Sequence, residues 1–273
     1  MAAKDILQKC VLLSVNHPRC EPGTVLKLGE NELTTADEVS DLGIIIDSKL
    51  KFNLHINRIV AKAFNRTNLI LKCFLSKDVP TLVRAFNVYV RPILEYASCV
   101  WSPHYITDIN RIESVQRNFT KRLPGCALLN YKDRLQLLNM ETLESRRLRQ
   151  DLLMTYKILF GLVDVNANNF FTIANTGYDT RGHHYKLQAN HSRVDVRKYF
   201  FAERVVHVWN SLALAATDIT NLQAFVCFIS LTDLSAFFNN VADFLYRPCG
   251  ACYRALPWRH SPMYFTIHIS IVL

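Results

Sequence analysis

At 273 residues, half hydrophobic and a fifth charged, the chain can build one large domain or two small ones and has globular composition. Sparse glycine and proline exclude collagen-like and low-complexity classes. The 32 Lys and Arg against 23 Asp and Glu leave a net charge of +9, which favours a polyanionic partner through counterion release but does not prove one.

Residues 1–52 read as β-structure joined by turns. Cys10 to Val15 is a short apolar run, Thr24 to Leu28 a second strand, and Leu42-Gly43-Ile44-Ile45-Ile46 a β-branched run stopped by Asp47-Ser48. The period becomes helical at Asn53, which can act as an N-cap. Ile56, Ile59, Val60, Ala63, Thr67, Ile70, Leu71 and Phe74 then form one buried stripe, with Arg58, Lys62 and Arg66 spaced by four on the other side.

A second helix starts from Asp78 as cap with Pro80 in its first turn, buries Leu82, Val83, Phe86, Val90 and Ile93, is kinked by Pro92, and ends before Trp101-Ser102-Pro103. A third runs from Thr107 with Ile109, Ile112, Val115, Phe119 and Leu123 inward and Arg111, Arg117, Lys121 and Arg122 outward, until Pro124-Gly125 stops it. A short helix over Tyr131 to Leu138 follows. The next begins near Thr142, turns Leu148, Leu152, Thr155 and Leu159 inward, carries Arg146, Arg147 and Arg149, and terminates at Gly161. Residues 163–192 read as irregular, and 193–212 as a segment packing back on the helices.

Residues 239–273 lack periodicity, and a poorly ordered tail is expected there. The expected class is mainly α: a β-rich lead-in (1–52), a helical region (53–162), a C-terminal packing region (163–238) and the tail (239–273). The eight cysteines, Cys10, Cys20, Cys73, Cys99, Cys126, Cys227, Cys249 and Cys252, sit mostly in apolar runs, which suits buried free thiols in a reducing compartment. No apolar core of signal-peptide length precedes Lys9, and no uncharged apolar stretch of about 18 residues occurs. The expectation is an intracellular protein, nuclear or cytoplasmic, without a membrane partner.

Several strings together carry a resemblance: DLGIIIDSKLKFNLHI (41–56), LVRAFNVYVRPILEYASCVWSPHYITDINRIESVQRNFTKRLPG (82–125), LESRRLRQDLLMTYKILFGLVDV (143–165), TRGHHYKL (180–187) and RKYFFAERVVHVWNSL (197–212). In order and spacing they resemble the region just C-terminal to the polymerase core of jockey-like non-LTR retrotransposon (LINE) reverse transcriptases. The likeness covers roughly residues 8 to 230. It implies that 1–52 are the last strands of a palm and that the helices from Asn53 form a thumb-like segment gripping an RNA/DNA template-primer duplex. The palm, with its Mg²⁺-binding aspartates, and an endonuclease would lie upstream. Three departures stand out: Ala213 where the family has proline, Phe225-Val226-Cys227-Phe228-Ile229 where it has a charged amphipathic helix, and a tail from Asn239 that matches nothing in the family.

A polymerase clamps two metal ions with neighbouring carboxylates. The chain has no Asp-Asp pair, and Asp37-Glu38, the nearest substitute, reads as a solvated turn. No catalytic residue, no metal site and no cofactor are therefore expected, and the chain alone is not expected to polymerise. The candidate nucleic-acid-binding residues are Arg58, Lys62 and Arg66, whose one-per-turn spacing can meet successive phosphates, and then Arg117, Lys121 and Arg122. The arginines at 146, 147 and 149 carry less weight, since some can pair with Glu113, Glu141 or Glu144. Trp101, Tyr105 and Trp209 are assigned to packing. His183, His184 and His191 read as loop residues. Cys249, Cys252, His260 and His268 are spaced too widely for an ordinary zinc site. The rival readings are an inert product of a decayed transposon and a host-reused interaction module without nucleic-acid binding.

Overall fold

A computed structural model describes residues 10–15, 27–28, 31–174, 185–214 and 221–238. The chain is mainly helical with a few short N-terminal strands. It divides into two compact units, with the boundary inside the first described helix, after Asn57.

In the first unit, β1 (Val11–Leu13) runs parallel to β4 (Thr34–Ala36), and β2 (Lys27–Leu28) pairs antiparallel with β3 (Asn31–Glu32). A hairpin follows, β5 (Glu38–Asp41) against β6 (Ile44–Asp47), with Ser40 opposite Ile45. Its two-residue turn is Leu42-Gly43, both at positive φ (44° and 86°), the twist that joins right-handed strands tightly. Leu42 is therefore a solvent-exposed turn residue and not the first residue of the strand, a placement that its hydrophobicity disguises. The strands β3, β4 and β5 have no clean hydrophobic alternation and were not legible in the sequence.

After β6, the Asp47 carboxylate accepts the amides of Lys49 (2.8 Å), Lys51 (3.2 Å) and Phe52 (3.0 Å), closing the turn that feeds helix α1, Asn53–Cys73. The helix begins at Asn53 itself, so Asn53 is the first helical residue and not the cap. The carbonyl of Phe52 takes the first helical bond, from Ile56 N–H. The predicted stripe holds as far as Ile70: Ile56, Ile59, Val60, Ala63, Thr67 and Ile70 are buried, with the Thr67 hydroxyl satisfied by the Ala63 carbonyl at 2.8 Å, whereas Leu71 and Phe74, at and beyond the helix end, are only half-buried.

In the second unit, α2 (Val79–Tyr89) is capped as its sequence predicts, the Asp78 carboxylate accepting both the amide and the hydroxyl of Thr81. Those bonds, side chain first, hold the Asp78 pKa below its ordinary value. Pro92 ends the helix outright: a new helix, α3 (Arg91–Glu95), starts with the proline in its first turn, where a missing N–H costs nothing. Next come α4 (Ser98–Trp101), α5 (Ile106–Lys121), α6 (Tyr131–Leu137) and α7 (Leu143–Leu159), the last capped by Thr142 onto Ser145 N–H. Gly161 takes positive φ directly after α7, whereas α5 already ends at Lys121 with Arg122 as its cap, ahead of Pro124-Gly125 rather than at it. Phe86 of α2 stacks on Phe119 of α5, ring centres 4.4 Å apart, tying the first helices together.

A second cluster joins Leu152 and Tyr156 of α7 to α9 (Phe201–Ser211) and α10 (Leu222–Leu231) through Val205, Trp209, Phe225 and Ile229. It confirms the packing-back of 193–212 and extends it to α10. Helix α8 (Asp195–Lys198) lies just before α9. Among the described residues no helix is long and apolar enough to cross a membrane. Cys10, Cys73, Cys99, Cys126 and Cys227 are free thiols, yet Cys73 and Cys227 are exposed, not buried as their apolar neighbours imply.

Candidate nucleic-acid interface

Arg58, Lys62 and Arg66 lie on the solvent side of α1, and none has a hydrogen-bond or ion-pair partner among the described residues. Their backbone is fixed because the opposite face is buried. The stripe is thus three free cations on a rigid support.

The second basic group is less free. Arg117 is exposed but lies over the Tyr131 ring, 5.0 Å from its centre. Arg122 donates to the Asn68 side chain at 2.7 Å and so reaches α1 from the end of α5. Lys121 is exposed and unpartnered among the described residues.

The arginines of α7 are spent inside the protein. Arg146 makes a two-pronged contact with Glu95, Nε to Oε1 and Nη2 to Oε2 (3.1 Å), and Glu95 holds its pKa above the ordinary value. Arg149 pairs with Glu141 at 3.0 Å and donates to the Thr232 carbonyl at 3.2 Å. Arg147 is 2% exposed, and burial lowers its pKa against the pull of Glu113 and Glu144. The Glu141 pairing was anticipated; the Glu95 partner, from a distant helix, was not.

Around Arg147 the string Glu113-Ser114-Val115-Gln116 is consumed by structure. Glu113 accepts the Tyr131 hydroxyl and the Leu143 N–H (3.0 Å), while the Gln116 amide donates to the Glu141 carbonyl at 2.8 Å. Burial raises the Glu113 pKa, opposed by the Tyr131 hydrogen bond and by Arg147. On another side, Arg204 grips Asp151 with two bonds of 2.9 and 3.0 Å and also donates to the Cys99 carbonyl. Cys99, largely buried and beside Asp151, has its thiol pushed up to about 12. It is a poor nucleophile.

Trp101 and Trp209 are packed, each with its indole N–H on a backbone carbonyl at 2.8 Å, Tyr96 and Tyr185 respectively. Asn210 grips Leu187 through both its amide nitrogen and oxygen. Tyr105 departs from the packing assignment: it is 44% exposed. It precedes the first turn of α5, where the helical period that marks core residues has not yet begun.

Asp37 and Glu38 stand exposed where β4 gives way to β5, with Glu38 opposite Asp47. Among the described residues no group of three His, Cys, Asp or Glu could hold a metal ion. His191 is exposed, and His183, His184, Cys249, Cys252, His260 and His268 lie outside the described residues.

A stretch of 128 residues is 32% identical to an uncharacterized protein of Caenorhabditis elegans, covering 46% of this chain and 65% of that protein's length. No family model matches the chain, and no solved structure does.

Proposed function

We propose that residues 53–162 form a thumb-like grip for an RNA/DNA template-primer duplex, as in the post-palm region of jockey-like non-LTR retrotransposon reverse transcriptases. The observation that carries this reading is the set of free cations, Arg58, Lys62 and Arg66, on a helix anchored along its other face. One cation per turn suits successive phosphates, which position a duplex without reading its bases. The family-like strings support it as well. Trp209-Asn210 clasps Tyr185 and Leu187, and Glu95 clasps Arg146, so the resembling segments interlock as one architecture. On this reading a polymerase palm and an endonuclease are the partners in the element, and Mg²⁺ belongs to the palm.

The test is the salt dependence of duplex binding. Changing Arg58, Lys62 and Arg66 together to Gln is expected to flatten the slope of log affinity against log salt by about two to three units, since each lost phosphate contact removes about 0.9. Sequence preference should not change. The matching triple change at Arg117, Lys121 and Arg122 is expected to matter less, because two of those side chains are already engaged. Absence of salt-dependent binding in the unaltered chain sinks the reading in favour of an inert or reused module. A larger effect from the second triple moves the grip to α5. With primed RNA, Mg²⁺ and dNTPs the chain alone is expected to incorporate nothing; chelator-sensitive primer extension would contradict that.

A further inference from the structure

Two segments far apart in sequence meet ring to ring beside α5. The His104 and Tyr199 rings are parallel within 3°, their centres 3.8 Å apart, and Tyr105 leans on His104 at 4.0 Å and 43°. Tyr105 is the open end of this stack. The next residues supply charge. Lys198 Nζ lies 5.6 Å from the Tyr199 ring centre, and Arg197 lies 5.6 Å from that of the exposed Phe200 while pairing with Glu203 at 2.8 Å. Arg193, Arg197 and Lys198 are all exposed, with Asp195 and the Arg197 partner Glu203 as acidic neighbours.

His104 is held by faces and not by hydrogen bonds: its buried Nε2 has no partner among the described residues. Burial lowers its pKa, opposed by Asp195 and Asp108, which keeps the ring neutral near pH 7. His104 thus backs the exposed Tyr105 ring and ties it to Tyr199.

We propose that Tyr105, His104 and Tyr199 form a stacking platform for an unpaired base, with Lys198 meeting a flanking phosphate. The chain then carries a single-stranded nucleic-acid site built from other elements than the duplex-gripping stripe of α1. Exposed ring faces bordered by cations are what unpaired bases use, because every base has a π face while a duplex hides it. The site stands independently of the duplex reading.

The test uses the full chain with labelled 12-mers of uridine, of deoxythymidine and of an abasic backbone, beside a blunt RNA/DNA duplex. Tyr105→Ala is expected to weaken binding of both base-bearing oligomers by about fivefold to 150-fold per stacked base, leaving the abasic 12-mer and the duplex unchanged. The salt slope should stay as it was, because no charge is lost. Lys198→Gln should instead flatten the single-strand slope by about 0.7. Tyr105→Phe should bind like the unaltered protein, and Tyr105→Leu, which keeps an apolar contact with His104, should fail as alanine does even if alanine disturbs folding. RNA and DNA oligomers held equally mark a base-stacking site; RNA held more tightly adds a 2′-hydroxyl contact. No preference for base-bearing over abasic oligomers, equal loss on duplex and single strand, or full binding by Tyr105→Leu overturns the proposal.

Discussion

Helices α1 and α7 each carry a cluster of basic residues and use it in opposite ways. On α1 Arg58, Lys62 and Arg66 are exposed and have no partner among the described residues; on α7 Arg146 pairs with Glu95 of α3, Arg149 with Glu141 of the preceding loop, and Arg147 is buried near Glu113 and Glu144. The difference lies in what packs against each helix. Helix α1 presents its cations on the face away from the core, whereas α7 is wrapped by α3, α4, α5, α9 and α10, and its basic half is enclosed. An arginine cluster in a sequence is therefore a nucleic-acid candidate only until its acidic neighbours are known.

The largest test of that contrast is Arg147→Met. Removing the enclosed cation leaves Glu113 buried, and Glu144 half-buried, without their compensating charge, at a cost of about 3 kcal/mol or more. Adding Glu113→Gln should recover part of the loss. A single variant as stable as the unaltered chain in denaturant titration, or a strictly additive double variant, would mean that the buried charges on α7 and α5 are not coupled.

A middle-sized effect is expected in the pH profile. Burial lifts the Glu113 pKa, so the native state holds that proton more tightly than the unfolded chain does. The resulting stability is complete below the unfolded glutamate value of about 4.3 and is lost as pH rises through the native value. Glu113→Gln should therefore lose less melting temperature than the unaltered chain as pH is raised from about 4.3. Parallel melting curves for the two proteins across that range would show that Glu113 does not titrate above its ordinary value.

The smallest effect belongs to α1. The triple change of Arg58, Lys62 and Arg66 to Gln should alter stability by less than about 0.5 kcal/mol, as exposed and unpartnered groups do. It should still alter the salt slope of binding. A melting temperature lowered as much as by Arg147→Met would place these residues in the fold's own ion-pair network and end the comparison.

The strings most specific to the resemblance turn out to be structural fittings. Glu95, Glu113, Gln116, Trp209 and Asn210 hold segments together through hydrogen bonds that span long stretches of chain. They mark an architecture, and the candidate contact residues lie between them on ordinary solvated faces. That is why the motif strings could be read together while the binding stripe rested on spacing alone.

What the sequence by itself determined was whatever depends on near neighbours: the helical class, the stripe from Ile56 to Ile70, the Asp78 cap, the start of α7 near Thr142 and its stop at Gly161. Each follows from backbone geometry within a few residues, where side-chain type and period are sufficient. Only the tertiary structure decided the turn at Leu42-Gly43, the break at Pro92, the partner of Arg146 and the stack of Tyr105, His104 and Tyr199. In the last two cases the decisive neighbour comes from a distant segment. No local period records which helix will supply a carboxylate, or which ring will be left facing water.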